Sequence, residues 1–448
     1  MIYAVKFSGA ICRFSGLCTT LKNVKFSWVV IPMTLLAIKH IQFRHGERHK
    51  LLVSAHTGIP LYYPSLFITT HVRAGGFSVS TVQGALAAIK VLYAWQANQG
   101  INLEALFSTG RLLQREEITS LVAFSARLLR EERRQLTAKV HTLKLNAGRT
   151  VARNTCSVGA QTQFTRISTM SKYLGFLAET LRIGRDSSAT ESQVSAMVEC
   201  LNACRPKVRS ISAVDRDERG LDIHVVDQVL EYLWPDHPQN PFSSKGVQQR
   251  NYLIITLLRY LGIRRGELLN LRVEDLDFSK GVIKIVRRAD SPLDSRRHQP
   301  LVKTAQRNIP INDVLQKKLS DYILHYRANF RQAKKHPYLF VTHKAGPSQG
   351  NPLSNSSFGK FMSTIQGIAN GFEIIHAHAF RHTWNYAFSK IVDETGTMTP
   401  EQEQKVRAYL MGWSETSHTV NTYNKRHIKE KAAKALLEYQ RTLKNKKD

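Results

Sequence analysis

Apolar residues return at helical spacing through most of the chain. Val82, Leu86, Ile89 and Tyr93 recur three or four positions apart, Ser80 and Gln83 supply a capping box ahead of them, and Gly100 closes the predicted helix. A second helix is predicted from about Arg115. A third follows from the stripe Phe164, Ile167, Met170, Leu174, Leu177 and Leu181. Residues 55–205 therefore read as an all-helical domain. The stretch CRPKVRSISAVDRDERG (204–220) is poor in apolar residues and rich in charge, so 206–220 reads as a linker. In 221–448 the pattern changes. Helices are predicted near 222–234 and 247–262, and the β-branched run GVIKIVRR (281–288) predicts a strand. A second strand is expected around Leu301–Ile311, and helix after it. Thr399, Pro400 and Gly412 mark the N-cap, first position and end of one of these helices. The expected fold is mainly α with a small β-hairpin, in two domains.

Residues 1–45 look unlike the rest, and no role is assigned to them; a true extension and a start placed too early both stay open. The apolar stretch WVVIPMTLLAI (28–38) is too short to span a bilayer and contains Pro32. No signal peptide or membrane partner is expected. Cys12, Cys18, Cys156, Cys200 and Cys204 are odd in number and scattered, which fits reduced thiols in a cytoplasm rather than a disulfide framework.

Charge changes the picture. The formal net charge over 448 residues is +30. Such an excess points to a polyanion, most often nucleic acid. The segment 126–154 alone carries Arg127, Arg130, Arg133, Arg134, Lys139, Lys144, Arg149 and Arg153, a phosphate-facing surface or linker.

Four stretches in the second half carry candidate chemistry. In YLGIRRGELL, Gly262 breaks a helix and Arg264 follows at once, with the Glu267 carboxylate three residues on. In KTAQRNIPI, Lys303 stands where the second strand begins. In HAHAFRHTW, His378 and Arg381 share a helix face. The histidines His376, His378 and His382 are discounted as metal ligands, because no carboxylate or thiolate sits beside them and Arg381 would repel a cation. In LMGWSETSHTVNTYN, Gly412 and Trp413 precede Tyr423 by ten residues.

Taken in order, these stretches resemble the tyrosine recombinase (phage integrase) family over about residues 220–440. The motifs concerned are Gly262-Ile263-Arg264-Arg265-Gly266-Glu267-Leu268, His378-Ala379-Phe380-Arg381-His382, and Met411-Gly412-Trp413 before Tyr423, with Lys303 ahead of Ile309-Pro310. Trp413 replaces the commoner histidine. The loop RRADSPLDSRRHQ is long, which keeps Lys284 as an alternative to Lys303.

The resemblance implies a two-domain clamp on double-stranded DNA, with a helical core-type domain and a mixed α/β catalytic domain, assembling as a homotetramer on two sites. It implies that Tyr423 attacks a phosphodiester to form a 3′-phosphotyrosyl link, with Arg264 and Arg381 neutralising charge, His378 as base, Lys303 as acid and the Trp413 indole as donor. No metal, ATP or other cofactor is implied. Tyr386 and Tyr409 are the neighbouring alternatives to Tyr423. A type IB topoisomerase-like enzyme and a DNA-binding protein without catalysis are the competing functions.

Overall fold

A computed structural model describes residues 36–128, 157–182, 191–208, 221–414, 432–433 and 435–440. The basic run 129–156, most of the linker, the greater part of 28–38 and Tyr423 lie outside the described residues. The chain forms two compact units. The described part of one falls within Met1–Ile38 and Leu52–Pro206, and that of the other within Lys39–Leu51 and Lys207–Asp448.

The first unit is helical. Short strands β1 (Leu36–Gln42) and β2 (Arg48–Ser54) precede α1 (Tyr62–Phe67), α2 (Val79–Gln99), α3 (Leu103–Ser108), α4 (Arg115–Ser125), α5 (Ala160–Arg182) and α6 (Glu191–Ala203). The predicted stripes supply its core. Val82, Leu86 and Ile89 of α2 and Met170, Leu174 and Leu177 of α5 are all buried in one cluster with Trp95 and Tyr173. The N-cap of α2 is Ser78, whose hydroxyl accepts from the Thr81 backbone N–H at 3.4 Å. Ser80 therefore lies inside the helix rather than capping it. Gly100 ends α2 in the left-handed conformation, as expected.

The second unit holds α7 (Ile223–Tyr232), α8 (Lys245–Leu261), α9 (Arg265–Asn270), a three-stranded antiparallel sheet, then α10 (Asp313–Asp321), α11 (Asn355–Gln366), α12 (Ala377–Thr395) and α13 (Pro400–Met411). The sheet runs β3 (Leu276–Asp277), β4 (Val282–Ile285), β5 (Arg307–Pro310), with Ile283 opposite Ile309 and Ile285 opposite Arg307. Strand β3 was not foreseen. The second predicted strand proves much shorter than Leu301–Ile311, so Lys303 lies in the connection before β5, not at its start. Side chains, not a ladder, order that connection. Arg288 grips both oxygens of Asp275 at 2.5 and 2.9 Å, and the buried Asp294–Arg296 pair donates onward to the carbonyls of Leu269 and Leu353.

The hairpin tip 39–51 groups with this second unit. Among the described residues no helix is long and apolar enough to cross a membrane. The tail residues 435–440 are helical, with Leu436, Leu437 and Tyr439 exposed.

Candidate active site

Three of the four motif segments are tied together by one side chain. Arg381, on α12, is wholly buried. Its Nη1 donates to the Gly262 carbonyl at 2.9 Å and its Nη2 to the Met411 carbonyl at 2.7 Å. Each acceptor stands two residues before a candidate, Arg264 in one case and Trp413 in the other. The Arg381 guanidinium also lies 5.4 Å from the centre of the Trp413 ring, a cation–π distance. A charged donor given to two main-chain carbonyls satisfies C-terminal groups of α8 and α13 that their own helices leave open.

The fourth segment arrives through close backbone approach. The Ala305 N–H donates to the Gly412 carbonyl at 3.1 Å. A β-carbon on Gly412 would stand 2.8 Å from Arg307 Nη1 and 2.9 Å from Thr304 Cβ, and φ there is +62°, so glycine is required twice over. Gly266 permits the other approach, since a β-carbon there would meet the Leu301 carbonyl at 2.5 Å. The connection that carries Lys303 is thus pressed against both the Arg264 motif and the Gly412-Trp413 turn.

Beneath these contacts is a buried ionic knot. Glu267, 1% exposed, accepts from Arg307 Nη2 at 2.8 Å, from Thr304 Oγ1 at 2.5 Å and from the Arg264 backbone N–H at 3.1 Å. Burial alone would raise the Glu267 pKa. The attraction and hydrogen bond of Arg307, with Arg381 and Thr304 adding, outweigh burial and hold the carboxyl below the usual range. Arg307 also donates through Nε to the Leu410 carbonyl at 2.6 Å. Glu267, read from sequence as a partner for Arg264, is instead chiefly paired with Arg307; Arg264 Nη1 stands 3.7 Å away and makes no hydrogen bond. The Arg264 side chain remains about a quarter exposed.

Arg307 and Thr304 were missed from sequence. A signal was present for the first: Arg307 shares the alternating buried face of β5 with Ile309, continued by Ile311 just past the strand, and an arginine on such a face demands a buried acceptor.

The other candidates fall as follows. Lys303 is exposed and lines a cleft of roughly 530 Å³ with Arg287, Thr304, Gly412, Trp413 and Ser414. Lys284 sits on β4 and pairs with Asp277 at 3.5 Å, and it does not line that cleft. His378 is exposed near the start of α12, its ring 4.7 Å from that of His382 and edge-on to it. His376 bonds the Ile374 carbonyl at 2.7 Å. Among the described residues no three His, Cys, Asp or Glu side chains group as metal ligands. Trp413 is 9% exposed and packs with Ala408 and Met411. Arg264, Lys303, Arg381 and Trp413 therefore converge on one locality of the second unit, with His378 one helical turn from Arg381.

Residues 236–430 match the phage integrase family, and this stretch carries all four motif segments. Among curated relatives, the tyrosine recombinase XerD of Halalkalibacterium halodurans is 25% identical over 174 residues, which are 38% of this chain and 48% of that protein. A tyrosine recombinase of Pseudothermotoga lettingae is 27% identical over 164 residues, 35% of this chain and 46% of that one. The chain spans about half the length of these curated relatives. Among solved structures, the Tn1549 transposon integrase in complex with a circular intermediate DNA gives a TM-score of 0.47 at 15% identity, covering 83% of this chain and 99% of that one. The XerH site-specific recombinase bound to difH gives 0.43 at 13% identity, covering 83% and 93%.

Proposed function

We propose that the chain is a site-specific DNA recombinase that cuts and rejoins strands through a 3′-phosphotyrosyl intermediate, using neither metal nor ATP. The observation that carries this reading is the convergence of Arg264, Lys303, Arg381 and Trp413 on one locality inside the family-matched segment, where Lys303 and Trp413 line a cleft. The clamp would pair residues 55–205, as a core-type DNA-binding domain, with a catalytic domain of 221–448.

The chemistry follows from the residue types. The Tyr423 phenol attacks phosphorus, the P–O5′ bond breaks, and the tyrosine keeps the 3′ phosphate as an ester. A phenol of pKa about 10 is a weak nucleophile at neutral pH, so His378 is assigned to take its proton. Lys303 is assigned to protonate the departing 5′ oxygen. Arg264 offers guanidinium donors to the phosphoryl oxygens; Arg381 adds its charge from beneath while holding the two turns. Removing a donor of this type costs about 3–4 kcal/mol of barrier. Because the ester retains the bond energy, a second 5′ hydroxyl can reverse the attack on another strand.

The exposed Leu436, Leu437 and Tyr439 of the tail fit a helix that docks on a neighbouring subunit in a ring of four on two DNA sites.

The test uses a nicked duplex from which the released fragment diffuses away. Wild-type protein should form a covalent adduct, and Tyr423→Phe should bind the duplex equally but form none. An adduct persisting in Tyr423→Phe would refute the nucleophile. Binding without any adduct by the wild type would favour a non-catalytic DNA binder, and relaxed circles without partner exchange a topoisomerase.

A further inference from the structure

The hairpin tip 39–51 is seated on the β4–β5 connection by two residues. Gly46, at φ +97°, lies so close that a β-carbon would stand 2.2 Å from the Asp290 carbonyl oxygen and 2.5 Å from the Pro292 nitrogen. The Arg48 side chain is buried and donates to the carbonyls of Gly46 (3.0 Å), Ser291 (3.3 Å), Asp294 (2.6 Å) and Arg296 (3.4 Å) and to Gln299 Oε1 (3.0 Å). Its backbone N–H donates to Asp290 Oδ1 at 3.2 Å. This is a fixed attachment rather than a chance contact of a surface loop.

The attachment gathers basic side chains. The His40 ring meets the His298 ring edge-on at 4.5 Å. Lys50 is 2% exposed. Arg297 and His298 are exposed, so the group opens to solvent on their side. The carboxylates of the same two segments are engaged elsewhere: Glu47 with His45 at 3.2 Å, Asp290 with the Arg48 N–H, and Asp294 with the Arg296 guanidinium at 2.7 and 2.9 Å. Among the described residues no hydrogen bond or ion pair reaches the Lys50 ammonium. The group feels its own charge: burial and then Arg297 lower the Lys50 pKa to about 8. Burial, then Lys50, His298 and Arg297, lower that of His40 to about 4. Burial, Lys50 and Arg297 likewise lower His298. Basic groups crowded together without a counter-charge are stabilised in their charged forms by an anion that enters among them.

We propose that Lys50, Arg297, His40 and His298 form a site for a backbone phosphate of duplex DNA, flanking the cleavage cleft. The proposal rests on the recombinase reading above. Chain length sets the placement. Lys303 lies five positions after His298, so their α-carbons stand at most about 18 Å apart. A duplex carries one phosphate charge per about 1.7 Å of axis, so DNA seated at Lys303 presents phosphates within that reach. The hairpin is thereby an added hand of the catalytic unit, contributed from far upstream in the chain.

The experiment is a salt titration of the full-length protein on a 30-base-pair duplex, comparing wild type with Lys50→Gln, Arg297→Gln and the double variant. Loss of one phosphate contact lowers the slope of log affinity against log salt by about 0.9. Each single variant should lose about that much. Arg297 is exposed, so Arg297→Gln reads the site even where Lys50→Gln does not fold. A steep wild-type slope that neither variant changes overturns this site alone, whereas a flat wild-type slope overturns the DNA reading itself. Histidine ring resonances followed by NMR separate the two phosphate sources. Shifts in His40 and His298 on adding duplex support the proposal. Shifts with submillimolar inorganic phosphate, together with unchanged slopes, assign the site to free phosphate and overturn it.

Discussion

Arg307 and Glu267 meet at 2.8 Å with both side chains only 1% exposed, and their pairing holds together three segments far apart in sequence. An exposed ion pair is worth little, but removing one partner of a buried pair strands the other and costs about 3–5 kcal/mol. Glu267→Gln keeps the shape and loses the charge. Urea unfolding should show a loss in that range. Glu267→Met with Arg307→Met should recover part of it, because the stranded charge is gone. A loss below 1 kcal/mol in Glu267→Gln would contradict the pairing.

The same carboxylate sets an acid limit. Its folded pKa is depressed, so its unfolded form binds protons first as pH falls. The stability it contributes is complete above the unfolded value of about 4.3 and is lost as pH drops through the lower folded value. Denaturant midpoints measured from pH 7 down to pH 3 should fall steeply at the acid end in wild type. The curve for Glu267→Gln should lie lower near pH 7, be flatter at the acid end, and approach the wild-type curve there.

Gly412→Ala tests the packed turn. The new methyl would collide with Arg307 and Thr304 at a left-handed position. The expected cost is about 1–3 kcal/mol in unfolding free energy. Under the proposed function, adduct formation should fall further than stability does, because the same shift moves Trp413 and Lys303. Normal adduct rates at full stability would show that the close approach is not needed.

The two lysines are separable by the leaving group. Under the proposed function, Lys303→Ala should slow cleavage about 10²–10⁴-fold on ordinary DNA. It should recover on a substrate whose 5′ leaving atom is sulfur, which departs without a proton. Lys284→Ala should change neither rate. The reverse pattern would transfer the acid role to Lys284.

Much of this architecture could be read from the sequence, and the failures have physical causes. Helix stripes such as Val82-Leu86-Ile89 were legible because burial on one face enforces a period. The end of α8 at Gly262 was legible because a left-handed cap selects glycine. The length of β5 was not. Leu301–Gln306 has strand-like composition, but Ala305 gives its backbone N–H to the Gly412 carbonyl instead of to a ladder partner. The Arg307 knot was hidden because its partners lie forty residues upstream and about a hundred downstream. The motif residues could be singled out because their order along the chain is itself informative, whereas the residues that hold them in place follow no such order.

Arg381 has a genetic consequence. Its two acceptors are main-chain carbonyls, those of Gly262 and Met411, which every residue type possesses. No side-chain change at 262 or 411 can delete the acceptor, and none can supply a replacement donor in the same geometry. Glu267 and Arg307 form a pair that second-site changes can rewrite, whereas these two carbonyls offer no side chain to change. Selection for suppressors of Arg381→Gln should therefore return revertants at the codon itself and nothing at the two residues it holds.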